Sequence, residues 1–184
     1  ALKRHTRLVT LTVGAANLGL STVLTACTTG TQAQCQAAIL LAQGLLGDCA
    51  DDENSLYRSL TALYTQVAGK APGTRIVVTG YPLLFDSAAP DSPQAAINDA
   101  TAELNCIIER AVAKSQATYA NIYYVDVTKA FTGHAIGGKV KPPFINEPPS
   151  GEAFHPTEDG YGAYADAIKT KLPVGWLNKQ EPLA

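Results

Sequence analysis

Residues 8–17 read Leu8-Val-Thr-Leu-Thr-Val-Gly-Ala-Ala-Asn17, an apolar and β-branched run that ends at a glycine. Such a run is typical of a buried strand, and the glycine marks the turn that follows it. Two similar runs, Arg75–Thr79 and residues 122–127, predict a second and a third strand. Because long helical patterns separate these strands, the sequence predicts an α/β fold with a parallel sheet and helices on both faces.

Three segments between and after the strands carry apolar residues every three or four positions, which is the spacing of one helix face. The positions are Leu56, Leu60, Leu63 and Val67; Ile97, Leu104, Ile108 and Ala111; and Tyr161, Tyr164, Ile168 and Leu172. Ser92 followed by Pro93 predicts the start of the second helix, because serine caps helix N-termini and proline fits the first turn. Pro173 is expected to end the last helix.

The composition is that of one folded domain without a nucleic-acid partner. The chain has 184 residues, of which 46% are hydrophobic and 16% charged, and its net charge of -2 offers no basic patch. No charged residue occurs from Leu8 to Gly47, so a membrane span must be considered. Gly14, Asn17 and Gly19 interrupt the apolar part of this stretch. A strand, a turn and a short helix are therefore expected there, and no membrane span.

The four cysteines, Cys27, Cys35, Cys49 and Cys106, lack the paired spacing of a metal site. Their even number predicts disulfides, hence an oxidising compartment and a secreted protein. Of the three possible pairings we expect Cys27–Cys35, which closes a short polar loop, and therefore Cys49–Cys106. Four free buried thiols are the alternative.

Ligands of open parallel sheets bind at the carboxyl ends of the strands, which singles out four short runs. These are Gly-Ala-Ala-Asn at 14–17, Gly-Tyr-Pro at 80–82, Phe-Thr-Gly-His at 131–134 and Glu-Ala-Phe-His-Pro at 152–156. We expect these loops to form the site together.

In this order, the runs resemble the later sequence blocks of the SGNH (GDSL-like) hydrolases, in particular secreted lipases and esterases of actinobacterial type. Residues 8–21, followed by Cys27, resemble the block in which a strand leads into Gly-x-Asn-Asp. Residues 77–82 are similar to the middle strand, and residues 131–134 and 154–156, with Gly160 and Tyr161, resemble the last block. The resemblance implies a three-layer α/β/α, flavodoxin-like fold. It also implies cofactor-free serine hydrolysis of acyl esters, with lipid or aryl (for example feruloyl) substrates.

The last block implies a catalytic histidine. His155 would take the proton of a serine nucleophile and return it to the leaving alcohol. Glu152 occupies the position at which the family has an aspartate, and it would orient the imidazole. A backbone carbonyl near residue 152 is the alternative orienting group.

The turn after the first strand implies an altered oxyanion hole. Gly14 matches the family, but Ala16 stands where the family has its asparagine donor. Asn17 would take over this role through a shifted turn, or else it caps the helix that follows. Ala16, Tyr81, His134 and Phe154 are further expected to contact the substrate. For His134 a structural role is the alternative.

The family's Gly-Asp-Ser block is not found in these residues, and no serine follows a strand. Ser21, Ser55, Ser59 and Ser115 fall in helical patterns, whereas Ser87, Ser92 and Ser150 lie in loops or at a cap. We therefore expect residues 1–184 to form a single incomplete SGNH domain that lacks the family's first strand. An N-terminal segment of the same precursor, proteolytically separated, would carry the serine and pair with this chain as a heterodimer.

Two other hypotheses remain open from the sequence. A non-catalytic SGNH-like binding module is favoured by the altered run at 14–17. An unrelated flavodoxin-like domain would bind a phosphate or nucleotide at a helix start, although no glycine-rich phosphate loop is present.

Overall fold

The computed structural model describes residues 6–70 and 72–172, which form a parallel sheet and a set of helices. The strands are β1 (Leu8–Leu11), β2 (Arg75–Thr79) and β3 (Ile122–Val125). The helices are α1 (Leu20–Thr29), α2 (Gln32–Leu46), α3 (Ser55–Lys70), α4 (Pro93–Gln116), α5 (Thr128–Phe131) and α6 (Glu158–Lys171), with a short 3-10 turn at Ala15–Leu18. The alternation of strands and helices agrees with the α/β prediction.

The sheet has the order β1-β2-β3, and both pairs of neighbouring strands are parallel. Ile76, Val77 and Val78 of the central strand are fully buried. By contrast, Leu8 of β1 is 41% exposed and exposure alternates along the strand. The prediction of a fully buried first strand is therefore wrong for these residues, because β1 is an edge strand. No other strand of the described residues covers its outer side.

Helix α4 begins and packs as predicted. Ser92 Oγ accepts a hydrogen bond from Ala95 N at 3.1 Å, with Pro93 at the first helical position. The four predicted apolar positions, Ile97, Leu104, Ile108 and Ala111, are all buried. In α3 the buried face instead runs through positions 56, 60, 64 and 68. Leu63 is 39% exposed, because it lies beside that face rather than on it.

Helix α6 follows directly on the loop that carries His155. Its N-cap is Thr157, whose Oγ1 accepts a hydrogen bond from Gly160 N at 3.1 Å. Leu172 is buried as predicted, whereas Tyr161 is 61% exposed. The predicted stop at Pro173 lies outside the described residues.

Both predicted disulfides are present; one connects two helices and the other connects a loop to a helix. Cys27–Cys35 joins α1 to α2 with a Cα–Cα distance of 4.4 Å, and Cys49–Cys106 joins the loop before α3 to α4 at 5.9 Å. Arg110 of α4 strengthens the second connection, since its guanidinium donates to the Cys49 carbonyl. Within residues 6–70 and 72–172, no helix is long and apolar enough to cross a membrane.

Candidate active site

A cavity of about 1020 Å³ lies at the carboxyl ends of the strands in the described part of the chain. Its walls are mainly aliphatic side chains of α1, α2, α4 and α6. The lining includes Ala16, Tyr81, Phe154 and His155, so three of the four predicted runs meet at this cavity, and the run at 131–134 does not line it. A cavity of this size and character is typical of a site for an apolar small molecule.

The loop that presents His155 is held as one arm of a short antiparallel pairing. Phe154 N donates to Asn146 O at 2.8 Å, and Asn146 N donates to His155 O at 2.9 Å. Ile145 and Pro156 form the adjoining antiparallel bridge. The backbone of the histidine is therefore fixed although its side chain is exposed at the cavity rim.

Asn146 adds side-chain bonds to this pairing. Its Nδ2 donates to His155 O at 3.1 Å and to Pro156 O at 3.3 Å. Phe154, which precedes His155 and pairs with Asn146 through its main-chain N, has a φ of 69°, a left-handed conformation that is uncommon for a bulky side chain. Such strained residues persist only where the surrounding structure fixes them, and here Asn146 supplies these contacts. The sequence analysis did not single out Asn146, and nothing in its local sequence pattern indicates the role.

Glu152 lies three residues before His155 in the loop, and the contact between them is made by the backbone. Glu152 O accepts a hydrogen bond from the main-chain N of His155 at 3.0 Å, and Glu152 N donates to Ser150 Oγ at 3.1 Å. Among the described residues, no hydrogen bond or ion pair joins the Glu152 carboxylate to the imidazole. The group that orients the imidazole therefore stays a prediction.

The turn after β1 keeps its shape through Gly14. Its φ of 130° is unfavourable for other residues, and an added Cβ would lie 3.2 Å from Leu104 Cδ1. Ala16 borders the cavity, whereas Asn17 is exposed and does not. The N-cap of α1 is Gly19, so the capping role considered for Asn17 is wrong.

Tyr81 is anchored between this turn and α4. Its Oη accepts a hydrogen bond from Ala15 N at 3.3 Å. Asn105 holds its backbone on the other side, because Oδ1 accepts from Tyr81 N at 2.7 Å and Nδ2 donates to Tyr81 O at 2.8 Å. Burial raises the pKa of the Tyr81 phenol, and the bond from Ala15 partly opposes this effect. The sequence analysis did not predict this role of Asn105. A polar residue between the apolar positions 104 and 108 of a helix face could have indicated it.

His134 lies in a supporting network rather than on the cavity wall. Its Nδ1–H donates to Pro142 O at 2.7 Å, and its ring stacks on Phe144 with centroids 3.9 Å apart. Phe144 O in turn accepts from Thr157 N at 2.9 Å, which ties the network to the start of α6. Asp86 holds the same loop through hydrogen bonds from the backbone N–H groups on either side of His134.

Among the described residues, Ser21 is the one serine that borders the cavity. It lies within α1 and does not follow a strand. The same residues contain no group of three histidine, cysteine or carboxylate side chains that could hold a metal ion.

A parallel sheet with a histidine-bearing loop and an apolar cavity at its carboxyl edge defines an α/β protein whose ligand site follows the strands. The sequence model of the GDSL-like lipase/acylhydrolase family matches residues 1–163, and the chain belongs to that family. This confirms the family resemblance drawn from the sequence.

The curated relatives are longer than this chain. It is 27% identical over 174 residues to Lipase 1 of Streptomyces coelicolor, which covers 91% of this chain and 61% of that protein. It is 26% identical over 163 residues to a lipase of Streptomyces rimosus, covering 84% of this chain and 56% of the relative. The chain thus spans about three fifths of the length of these relatives.

Two crystal structures share the fold. Phospholipase A1 from Streptomyces albidoflavus NA297 matches with a TM-score of 0.73 at 29% identity, over 91% of this chain and 70% of that one. The extracellular lipase from Streptomyces rimosus matches with a TM-score of 0.75 at 23% identity and the same coverages. These matches confirm the predicted fold class.

Proposed function

We propose that this chain is the base-bearing part of a secreted carboxylic ester hydrolase of lipase type. The single observation that carries the proposal is the position of His155, fixed by its loop at the rim of an apolar cavity that lies at the carboxyl ends of the strands. Membership of the GDSL-like lipase/acylhydrolase family supports the same chemistry. The two disulfides and the extracellular relative support secretion.

In the proposed reaction His155 accepts the proton of a serine hydroxyl while the serine oxygen bonds to the ester carbonyl carbon. The protonated imidazole then gives this proton to the departing alcohol, which leaves an acyl-enzyme. Water repeats the sequence, releasing the carboxylic acid and the free serine. Glu152 or a backbone carbonyl beside it would orient the imidazole in both steps.

The serine is proposed to come from a segment outside these 184 residues. The outer edge of β1 has no partner strand among the described residues, and Thr10 and Thr12 of this edge region border the cavity. A parallel strand added there would end beside the turn at Ala16, on the same side of the sheet as His155. We propose a segment of the same precursor for this strand, joined covalently or held as a separate polypeptide.

The substrate is proposed to be an ester with an apolar acyl group. Aliphatic side chains such as Leu18, Ile97 and Ile168 line the cavity, and no charged side chain is among its lining residues. A lipid-type acyl chain fits these walls, and an aryl group such as feruloyl is the second substrate class to be assayed.

A non-catalytic binding module is the second candidate. Two observations favour it: Ala16 offers no side-chain donor at the cavity, and the Glu152 carboxylate has no bond to His155. In that case the apolar cavity would bind an acyl ligand without cleaving it.

Labelling with a fluorophosphonate distinguishes the two candidates, because this reagent bonds only to an activated serine. We expect the complete protein to be labelled on a serine outside residues 1–184 and to hydrolyse nitrophenyl esters. His155→Ala should lose both properties with an unchanged circular dichroism spectrum. Labelling of Ser21, with loss on Ser21→Ala, would refute the placement of the nucleophile. Absence of both labelling and hydrolysis in the complete protein would support the binding module.

A further inference from the structure

The turn after β1 lacks the side-chain donor that would stabilise negative charge at the cavity. Ala16 lines the cavity but its side chain is a methyl group without a donor, and Asn17 is not among the residues that line it. Removal of one such donor typically costs an ester hydrolase about 10²–10³ in rate. If the chain is catalytic, another group must therefore supply this hydrogen bond.

The Tyr81 hydroxyl lies at the same turn. Its oxygen accepts a hydrogen bond from Ala15 N at 3.3 Å, and its side chain borders the cavity together with Ala16 and His155. Among the described residues the Tyr81 hydroxyl donates no hydrogen bond, since its one side-chain bond is the one that it accepts. A phenol in this situation is a donor without a partner at the wall of the cavity.

The donor is also fixed in place before any substrate arrives. Asn105, which is 7% exposed, binds both backbone groups of Tyr81 at 2.7 and 2.8 Å. Burial raises the pKa of the phenol, so that it remains protonated at neutral and mildly alkaline pH. A protonated and preorganised donor in a partly desolvated site is what stabilisation of an oxyanion requires.

We propose that the Tyr81 hydroxyl donates a hydrogen bond to the ester carbonyl oxygen as this oxygen becomes an oxyanion. It thereby takes the place of the asparagine side chain that position 16 lacks. No proton is transferred, because the phenol only shares its hydrogen with the developing charge. The assignment of Tyr81 as a catalytic residue rests on the proposed ester hydrolase function.

The test compares Tyr81→Phe with wild type in the complete protein, using nitrophenyl butyrate. We expect kcat to fall about 100-fold while KM changes by less than about threefold, since the bond forms mainly in the transition state. Tyr119→Phe is the matched control, because Tyr119 packs beside Gly69 and is not among the residues that line the cavity. Its kcat should stay within about twofold of wild type.

Restoration of the missing donor gives a second and independent readout. Ala16→Asn should raise the kcat of the Tyr81→Phe variant about tenfold or more, but should raise that of wild type by less than about threefold, because wild type already has a donor. An alkyl trifluoromethyl ketone, which mimics the tetrahedral intermediate, should bind Tyr81→Phe more weakly by about the same factor as kcat/KM falls.

The outcomes separate this proposal from the proposed function. If His155→Ala is inactive but Tyr81→Phe retains wild-type kcat and ketone affinity, the role of Tyr81 is refuted and the hydrolase function stands. If the complete protein shows no activity that depends on His155, the proposed function itself fails. If Tyr81→Phe does not fold, Ala16→Asn alone still tests the role. A rise of about tenfold in the kcat of this single variant over wild type would refute the role, because wild type would then lack a donor.

Discussion

Replacement of Asn146 by aspartate tests whether the loop pairing positions His155. Asn146 Nδ2 donates to the carbonyls of His155 and Pro156 at 3.1 and 3.3 Å. The Asn146→Asp variant has nearly the same shape, but it replaces these two donor contacts by a carboxylate that faces two carbonyl oxygens. The backbone bonds of residue 146 remain, so that the loop should be loosened rather than lost.

The size of the effect follows from the two contacts. A neutral hydrogen bond of this kind contributes about 0.5–1.5 kcal/mol, so the loss of both amounts to about 1–3 kcal/mol. If this free energy holds the histidine in its catalytic position, kcat falls about 10- to 100-fold. KM should hardly change, because Asn146 is not among the residues that line the cavity.

Asn54 provides the matched control. Its Nδ2 also donates to two backbone carbonyls, those of Leu46 at 2.7 Å and Asp48 at 3.2 Å, but it lies at the start of α3. Ester hydrolysis and thermal unfolding would be measured on the complete protein for Asn146→Asp and Asn54→Asp. Both variants should melt earlier, and only the first should lose kcat at a temperature well below its Tm. An equal loss of Tm with unchanged kcat in the Asn146 variant would refute the positioning role.

Three further predictions concern stability. Removal of Cys49–Cys106, which spans 57 residues, should lower the free energy of unfolding by about 4 kcal/mol in urea titrations, more than removal of a short-loop disulfide. Gly160→Ala should lower Tm strongly, because its Cβ would overlap the Phe144 carbonyl oxygen; an unchanged melting curve would contradict this packing. Burial raises the pKa of Tyr64, so folding favours its neutral phenol, and the free energy of unfolding should fall as pH rises above about 10; urea midpoints that stay constant up to pH 11 would count against this.

The elements with strong local signals were predictable from the sequence. The cap at Ser92, the buried strand Arg75–Thr79 and the buried face of α4 each depend on neighbouring residues, and all three occur as predicted. The disulfide pairing was predictable because Cys27 and Cys35 are close in sequence. These features need no knowledge of distant contacts.

Features that depend on distant contacts were missed. The exposure of Leu8 reflects the place of β1 at the sheet edge, which the residues of the strand do not encode. The hydrogen bond from Asn146 to His155 O joins residues that are nine positions apart in the sequence. The left-handed φ of Phe154 is not indicated by its neighbouring residues. The placement of Asn17 outside the cavity likewise depends on the 3-10 turn, which the strand-and-glycine pattern did not predict.

Two consecutive residues of α4 contact the two loops that meet at the hydrogen bond between Ala15 N and Tyr81 Oη. Leu104 packs against the turn after β1, since its Cδ1 would lie 3.2 Å from a Cβ added at Gly14. Asn105, the next residue, binds the backbone of Tyr81. Because one rigid helix supports both loops, the contact between Ala15 N and Tyr81 Oη is set by the scaffold. Helix α4 therefore supports both the turn after β1, through Leu104, and the Tyr81 loop, through Asn105.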